Sequence, residues 1–184
     1  MNGWAIWITG LPGSGKSTIA ATLELRLRAK NISFQLLSID MLRKIVTPTP
    51  IYSENERDLV YGSLVFTAYL LTLNGINVVI DATGNRRRYR DQARHLIKRF
   101  YEVYVKCPLD LCIEREGKRK KKYGAPEKIY EKGLSKESTT VPGLGVPYEE
   151  PINPEVIIES NLIPPENASQ KIIQTLKKNL VSNY

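Results

Sequence analysis

Three glycines, a lysine and a serine lie close together near the start of the chain, at the spacing G-x-x-x-x-G-K-[ST] of a phosphate-binding loop. The glycines let the backbone turn its N–H groups toward a polyphosphate. The ammonium group of Lys16 can bridge the β- and γ-phosphates, and the hydroxyl of Ser17 can ligate Mg²⁺. The spacing therefore predicts a site for ATP and Mg²⁺ made of Gly10, Leu11, Pro12, Gly13, Ser14, Gly15, Lys16, Ser17 and Thr18.

The sequence around this segment is that of a strand, a loop and a helix. Residues 4–8 (WAIWI) form a short apolar run typical of a buried strand, and Ile19, Leu23 and Leu27 then recur at helical spacing. The N-terminus of that helix would attract the phosphate through its dipole. The alternative is a glycine-rich turn that binds no ligand, and the intact lysine and hydroxyl in this setting favour the phosphate site.

Asp40 comes just after a second predicted strand, Phe34–Ser38, at the sheet edge where open α/β proteins bind ligands. In a phosphate-loop enzyme this carboxylate could order the water of Mg²⁺ or accept the proton of an attacking hydroxyl. It could also serve as the N-cap of a short helix, Met41–Val46, and the two roles are compatible. Arg43 follows one turn later and could face the same ligand.

A long helix is predicted to begin at the capping-box pattern of residues 53–56 and to end at Asn74-Gly75. Arg57, in its first turn, could contact an anionic substrate or be a solvated charge. The residues predicted to face the core are Leu59, Val60, Leu64, Tyr69, Leu70 and Leu73.

Asp81 is the second acidic residue at the end of a predicted strand, here Ile76–Ile80. The helix that follows is crowded with arginine and lysine. Most of that charge is expected to form a solvated face, and only Arg86 or Arg87 would lie near enough to the loop to contact a ligand.

Composition excludes some classes of protein and leaves others open. The 184 residues carry a formal net charge of +8, which suits anionic substrates and nucleic acid equally well. No apolar run reaches membrane-spanning length, so we expect no membrane partner. The two cysteines, Cys107 and Cys112, are too few for a disulfide framework, and a reduced, cytoplasmic location is expected.

Strands that alternate with helices predict a single α/β domain over residues 1–184. The expected fold is a three-layer α/β/α phosphate-loop NTPase of the nucleotide-kinase type, with a mostly parallel five-stranded sheet. Residues 117–154, rich in basic residues, glycine and proline, interrupt this alternation. A closing lid is expected there, and a long surface loop is the alternative.

Five segments, in order over nearly the whole chain, resemble the adenylylsulfate kinase family. Those phosphate-loop enzymes phosphorylate the ribose 3′-hydroxyl of adenosine 5′-phosphosulfate, abbreviated APS. The last two segments are the most specific, because generic phosphate-loop kinases lack them. The segments are 10–18 (GLPGSGKST), 37–43 (LSIDMLR), 52–57 (YSENER), 105–115 (VKCPLDLCIER) and 142–155 (PGLGVPYEEPINPE).

The resemblance implies a kinase that uses ATP and Mg²⁺ and acts on a small nucleotide, APS. Lys16 and Asp40 would be catalytic, with Asp40 as the base. Ser17 and Asp40 would both be associated with the metal ion. Arg43 and Arg57 would hold the phosphosulfate group, and Tyr52 would stack on the adenine. The turn at Ala82-Thr83 would line the substrate, and a homodimer is expected, as is common among similar kinases.

The substrate pocket departs from the family pattern at several positions. A basic insertion at about 117–126 also precedes the lid motif, which survives only in part. ATP binding and the fold are unaffected by these changes, whereas the identity of the acceptor depends on them. The altered positions are Ser38, Val60, Gly62, Ser63, Gly84, Val141 and Gly145.

Two other functions remain open at this point. The segment Asp81-Ala82-Thr83-Gly84-Asn85, followed by Arg90 or Arg94, is similar to the D-A-T-N…R signature of polynucleotide-kinase-like and tRNA kinases. In that case the basic helix and lid would bind the phosphates of a nucleic acid strand. The third possibility is a nucleotide-binding regulator without turnover, against which the presence of Lys16, Ser17 and Asp40 argues.

Overall fold

The computed structural model describes residues 2–119, 126 and 128–181. Its five strands form one parallel sheet in the order β2-β3-β1-β4-β5, which confirms the predicted fold class. The strands are β1 (Ala5–Thr9), β2 (Phe34–Ser38), β3 (Asn77–Asp81), β4 (Phe100–Lys106) and β5 (Val156–Glu159).

The helices connect these strands and cover both faces of the sheet. Helix α2 begins at Ile39, two residues before the predicted start. The helices in the described residues are α1 (Lys16–Ala29), α2 (Ile39–Val46), α3 (Glu54–Leu73), α4 (Arg87–Leu96), α5 (Leu109–Gly117), α6 (Ile129–Leu134) and α7 (Pro165–Val181).

Two apolar cores lie on opposite faces of the sheet because alternate side chains of a strand point in opposite directions. Ile6 and Ile8 of β1 pack with Leu23 of α1 and Ile172 of α7. Trp7, between them, packs on the other face against residues of α3 and α4.

Helix α3 places three of its predicted core residues on the outside. Leu59, Leu70 and Leu73 are 58%, 43% and 46% exposed, whereas Val60 and Leu64 are buried as predicted. The helix is apolar on nearly all sides, so its periodicity does not identify the face that contacts the sheet. Packing of α3 against the sheet and α4 decides which of its faces is buried.

The register of the sheet brings the loop and two acidic residues to one edge. Asp81, the last residue of β3, lies opposite Ile8 of β1 on one side and Ser38 of β2 on the other. The phosphate loop follows β1, and Asp40 follows β2. All three therefore lie at the carboxyl edge of the sheet, where ligands bind in open α/β folds.

Residues 120–125 and 127, which include most of the basic insertion at 117–126, lie outside the described residues. Within the described ranges, no helix combines the length and the apolar character needed to cross a bilayer.

Candidate active site

The phosphate loop has the backbone geometry that its glycines allow. Gly13 has a φ of 77°, and a Cβ atom there would lie 2.2 Å from the carbonyl oxygen of Cys112. Gly15 has a φ of 99° and caps α1, so the first N–H groups of the helix face the end of the loop. The hydroxyl of Tyr130, on α6, donates to the carbonyl of Pro12 at 2.9 Å. The backbone at Cys112 and the hydroxyl of Tyr130 thus pack against the loop and hold it in place.

Lys16 is 8% exposed at the start of α1, and its Nζ donates to the carbonyl oxygen of Leu11 at 2.8 Å. This bond curls the side chain back over the loop, where a polyphosphate would lie. Burial lowers the pKa of Lys16, and the nearby carboxylates of Asp81 and Asp40 oppose that shift. The ammonium group therefore lies between the loop and the two acids.

Asp40 lies in the first turn of α2, whose N-cap is Ser38 and not Asp40. The helix-cap interpretation of Asp40 is therefore wrong, and its carboxylate lines the cavity beside Lys16. Burial and the adjacent Asp81 raise the pKa of Asp40, whereas Lys16 and Arg43 lower it. A carboxylate in this position can accept a proton or a hydrogen bond from a hydroxyl in the cavity.

Asp81 is a member of the site to which the sequence prediction assigned no role. Its carboxylate lies near Lys16 and Ser17, and both lower its pKa against the larger effect of burial, which raises it. Its position at the end of a strand could have indicated Asp81 as a site residue. Only the pairing of β3 with β1 and β2 shows which groups lie beside it.

A cavity of about 780 Å³ joins these groups at the sheet edge. Ala82 and Thr83, predicted to line a substrate, form part of its wall. Arg115 and the loop at 160–165 form another part, and Arg115 donates to the side chain and carbonyl oxygens of Ser160 at 3.1 and 3.0 Å. The cavity therefore extends from the acidic pair across the phosphate loop to this guanidinium group.

A cluster of three predicted acceptor residues lies where α2 is connected to α3. It consists of Arg43 on α2, Tyr52 in the connection and Arg57 on α3. The guanidinium carbons of Arg43 and Arg57 lie 4.8 and 5.8 Å from the centroid of the Tyr52 ring, so both cations face the same aromatic side chain. Arg43 also forms a buried ion pair with Glu56, which the sequence prediction considered only as a capping residue. The structure thus brings together the three residues predicted to bind the acceptor.

Arg57 is buried and donates three hydrogen bonds, so it is not the solvated charge considered as an alternative. Its Nε donates to the carbonyl of Tyr52 at 3.1 Å, and its Nη1 to Oδ1 of Asn85 at 3.4 Å. Its Nη2 donates to the carbonyl of Thr140 at 2.6 Å. This side chain therefore ties α3 to the turn after β3 and to the predicted lid.

Two of the altered positions have clear structural consequences. Val141, where the family has a second stacking aromatic, is 5% exposed and packs with Tyr130 and Cys112 beneath the loop. Gly145, where the family has an aspartate, lies so close to residue 139 that a Cβ atom would be 2.0 Å from the Thr139 carbonyl oxygen. The turn at 139–146 thus buries the Val141 side chain and leaves no room for a side chain at Gly145.

The basic segment at 86–94 is only in part the solvated face that was predicted, because Arg88 is exposed whereas Arg90 is buried. Four of its arginines, Arg86 just before α4 and three within the helix, pair with acidic residues from α3, β4 and the segment 149–155. The pairs are Arg86 with Glu149 at 3.1 Å, Arg88 with Asp58 at 2.5 Å, Arg90 with Glu102 at 3.2 Å and Arg94 with Glu155 at 2.5 Å.

Residues 147–154 are fixed to the body of the protein by several polar contacts. The hydroxyl groups of Tyr148 and Thr9 are 3.0 Å apart, and the N–H of Glu149 donates to the carbonyl of Asn85 at 2.8 Å. Arg90 donates to the carbonyl of Glu149. These contacts hold residues 148 and 149 of the predicted lid segment 117–154 against β1, α4 and the turn after β3.

Comparison with known proteins gives a consistent result. The family model described as adenylylsulphate kinase matches residues 2–159. A probable adenylyl-sulfate kinase of Pyrococcus abyssi is 33% identical over 178 residues, which cover 97% of each chain. An adenylyl-sulfate kinase of Rippkaea orientalis is 36% identical over 176 residues, covering 96% of this chain and 92% of the other.

Solved structures show the same relationship. The structure of the Mycobacterium tuberculosis APS kinase CysC in complex with AMPPNP and APS matches with a TM-score of 0.83 and 30% identity, covering 96% of this chain and 98% of that one. A gluconokinase of Sinorhizobium meliloti, 17% identical with a TM-score of 0.64, shares the fold alone. With a phosphate loop, two acids and a lysine at one edge of the sheet, the chain is a kinase and belongs to the adenylylsulfate kinase family.

Proposed function

We propose that this protein transfers the γ-phosphate of ATP to the 3′-hydroxyl of APS, giving 3′-phosphoadenosine 5′-phosphosulfate. The observation that carries the proposal is the position of the Arg43, Tyr52 and Arg57 cluster: Arg43 follows Asp40 by one turn of α2, and Asp40 lines the cavity together with Lys16. An aromatic ring flanked by two guanidinium groups suits a nucleotide with an anionic 5′ group. The similarity to an APS kinase solved with AMPPNP and APS supports the same donor and acceptor.

The residues present fit a magnesium ion. Ser17 offers a hydroxyl, and Asp40 and Asp81 offer carboxylates, all on the wall of one cavity, and oxygen ligands are those that Mg²⁺ prefers. When bound with ATP, the ion would neutralise charge on the β- and γ-phosphates. Asp81, which lies near Ser17, would hold the serine hydroxyl in place for this contact.

The side chains at the cavity divide the remaining work. Lys16 and the N–H groups of the loop hold the β- and γ-phosphates and stabilise the charge that develops during transfer. Asp40 orients the acceptor hydroxyl and takes its proton as the phosphoryl group leaves ATP. Arg115 and the loop at 160–165 form the part of the cavity that suits the base and ribose of ATP. Phosphoryl transfer requires mainly this positioning and electrostatic stabilisation.

Arg43 and Arg57 bind the phosphosulfate group, and Tyr52 stacks on the acceptor adenine. Arg57 now donates to the carbonyl of Thr140, so binding of the anion replaces this bond and displaces the turn that carries it. The turn at 139–146, which carries this carbonyl, would then move over the site. Its closure over the reactants would exclude water from the transferred phosphoryl group.

The test is an ADP-release assay with Mg²⁺ and ATP that compares APS, AMP and an oligonucleotide with a free 5′-hydroxyl. We expect saturable turnover with APS and little with AMP, which lacks the sulfate that the arginines would contact. Turnover with the oligonucleotide instead would overturn the proposal in favour of a polynucleotide kinase. The acidic partners of Arg86, Arg88, Arg90 and Arg94 argue against that result, because these arginines already have anions beside them.

A homodimer and a cytoplasmic location complete the proposal. The family resemblance supports the dimer, and sedimentation velocity would detect it as a species of twice 20.9 kDa. A single species at the monomer mass would exclude it. The two cysteines are free thiols in the structure, which is consistent with a reducing compartment.

A further inference from the structure

Tyr52 has a backbone conformation that must be held by its surroundings. Its φ of 55° lies in the left-handed region, which aromatic residues rarely adopt. One carboxylate oxygen of Glu56, Oε2, accepts hydrogen bonds from the backbone N–H groups of Ile51 at 2.6 Å and Tyr52 at 3.1 Å. Glu56 thus fixes the turn that sets the direction of the Tyr52 ring.

The second oxygen of the same carboxylate holds Arg43. Oε1 of Glu56 pairs with Nη1 of Arg43, and each side chain is 9% exposed. The guanidinium group of Arg43 also lies over the Tyr52 ring. One carboxylate therefore connects the backbone of the aromatic residue with the cation that faces its ring.

Helix capping does not account for this arrangement. The N–H of Glu56 donates to Oγ of Ser53 at 3.2 Å, which is one half of a capping box. In the other half the glutamate side chain would accept from the N–H of Ser53. Here it instead reaches the two residues before Ser53, and the cation on α2. A residue needed only to start α3 would have no use for these contacts.

We propose that Glu56 is a positioning residue for the acceptor nucleotide: it holds the Tyr52 ring and the Arg43 guanidinium group in the arrangement that receives the adenine and the phosphosulfate. The inference rests on the proposed function and extends it to a residue outside the substrate contacts. Arg43 has five N–H groups, so those not used by Glu56 remain for the anion. The ion pair also limits positive charge in the buried site before the substrate arrives.

The test is Glu56→Gln, which preserves the size of the side chain. Its amide NH₂ group would face either the Arg43 guanidinium group or the N–H groups of Ile51 and Tyr52, all of which are donors. We expect KM for APS to rise about tenfold, because a charge-assisted hydrogen bond is lost. We expect kcat and KM for ATP to stay within about twofold of the wild type. The matched control is Glu54→Gln, an exposed glutamate in the same helical turn that pairs with Arg86 and Arg88 at the surface. Its kinetics should equal those of the wild type.

A double mutant with Arg43 distinguishes a positioning role of Glu56 from a general effect of the substitution on folding. In an Arg43→Ala background, the additional effect of Glu56→Gln on KM for APS should be much smaller, because the two residues act as a unit. Fully additive effects, an unchanged KM for APS, or equal increases in both KM values would overturn the proposal. If Glu56→Gln is too unstable for kinetics, Glu56→Asp carries the same test with the charge retained but the reach shortened.

Wild-type activity distinguishes failure of this inference from failure of the proposed function. If the wild type phosphorylates another nucleotide and not APS, the proposed substrate is wrong. The KM for that nucleotide then replaces the KM for APS in the same comparison of Glu56→Gln with Glu54→Gln. The Glu56 proposal is overturned if that KM is unchanged.

Discussion

Nη2 of Arg57 donates to the backbone carbonyl of Thr140 at 2.6 Å, although the two residues are 83 positions apart. Arg57 belongs to the first turn of α3, and Thr140 belongs to the predicted lid segment. A guanidinium group predicted to bind the acceptor anion is thus satisfied by a carbonyl oxygen of the lid. The contact links the state of the acceptor site to the position of the turn at 139–146.

Replacement of Arg57 by lysine should weaken acceptor binding. A lysine retains the charge but cannot reproduce the planar set of donors that contacts Tyr52, Asn85 and Thr140. We expect KM for APS to rise about tenfold or more, with KM for ATP nearly unchanged. Steady-state kinetics with each substrate varied in turn would measure this. An unchanged KM for APS would remove Arg57 from the acceptor site, and Arg88→Lys, at an exposed surface pair, is the control.

Lys16→Ala should abolish turnover. The loop would lose the cation that contacts the transferred phosphate and the bond from Nζ to the Leu11 carbonyl. We expect kcat to fall by at least about a hundredfold, as for other groups that stabilise charge in the transition state. Lys30→Ala, at the exposed end of α1, should have no effect. Activity near that of the wild type in Lys16→Ala would contradict the assigned role.

Asp81→Asn should weaken the metal site without removing a side chain from it. The amide cannot supply a charge to the cavity, where the carboxylate of Asp81 lies near Ser17 and Lys16. We expect the Mg²⁺ concentration for half-maximal activity to rise about tenfold. Binding of Mn²⁺ with ADP, followed by electron paramagnetic resonance, gives a readout independent of turnover. Equal Mn²⁺ affinity in the wild type and Asp81→Asn would exclude Asp81 from the metal site.

Glu102→Gln should destabilise the fold. Glu102 pairs at 3.2 Å with Arg90, whose side chain is 1% exposed, and removal of the negative charge leaves this buried cation without its partner. Arg90 keeps its hydrogen bond to the Glu149 carbonyl but loses its acidic partner, so we expect the free energy of unfolding to fall by about 2 kcal/mol, measured by denaturant titration. Glu24→Gln, in an exposed pair with Arg28 on α1, should change it by less than about 1 kcal/mol. Equal stability of the two variants would show that the Arg90 pair contributes nothing.

The sequence determined those features of the site that depend on residues close together in the chain. The phosphate loop is one continuous segment, so its spacing alone identified Lys16 and Ser17. Asp40 was located in the same way, by its position after a strand. The alternation of strands and helices was sufficient for the fold class, because apolar runs and helical periodicity are local patterns.

Tertiary structure decided what residues distant in the chain do for one another. The pairing of β3 with β1 and β2 placed Asp81 beside Ser17 and Lys16. The packing of α3 left Leu59 and Leu73 exposed, since an almost wholly apolar helix does not specify its buried face. The arginines of α4 found partners on α3, on β4 and beyond residue 148, and no local pattern of charge could have indicated them. Spacing in the chain identifies a group that acts with its neighbours, whereas burial and ion pairing depend on contacts made only when the sheet and its helices assemble.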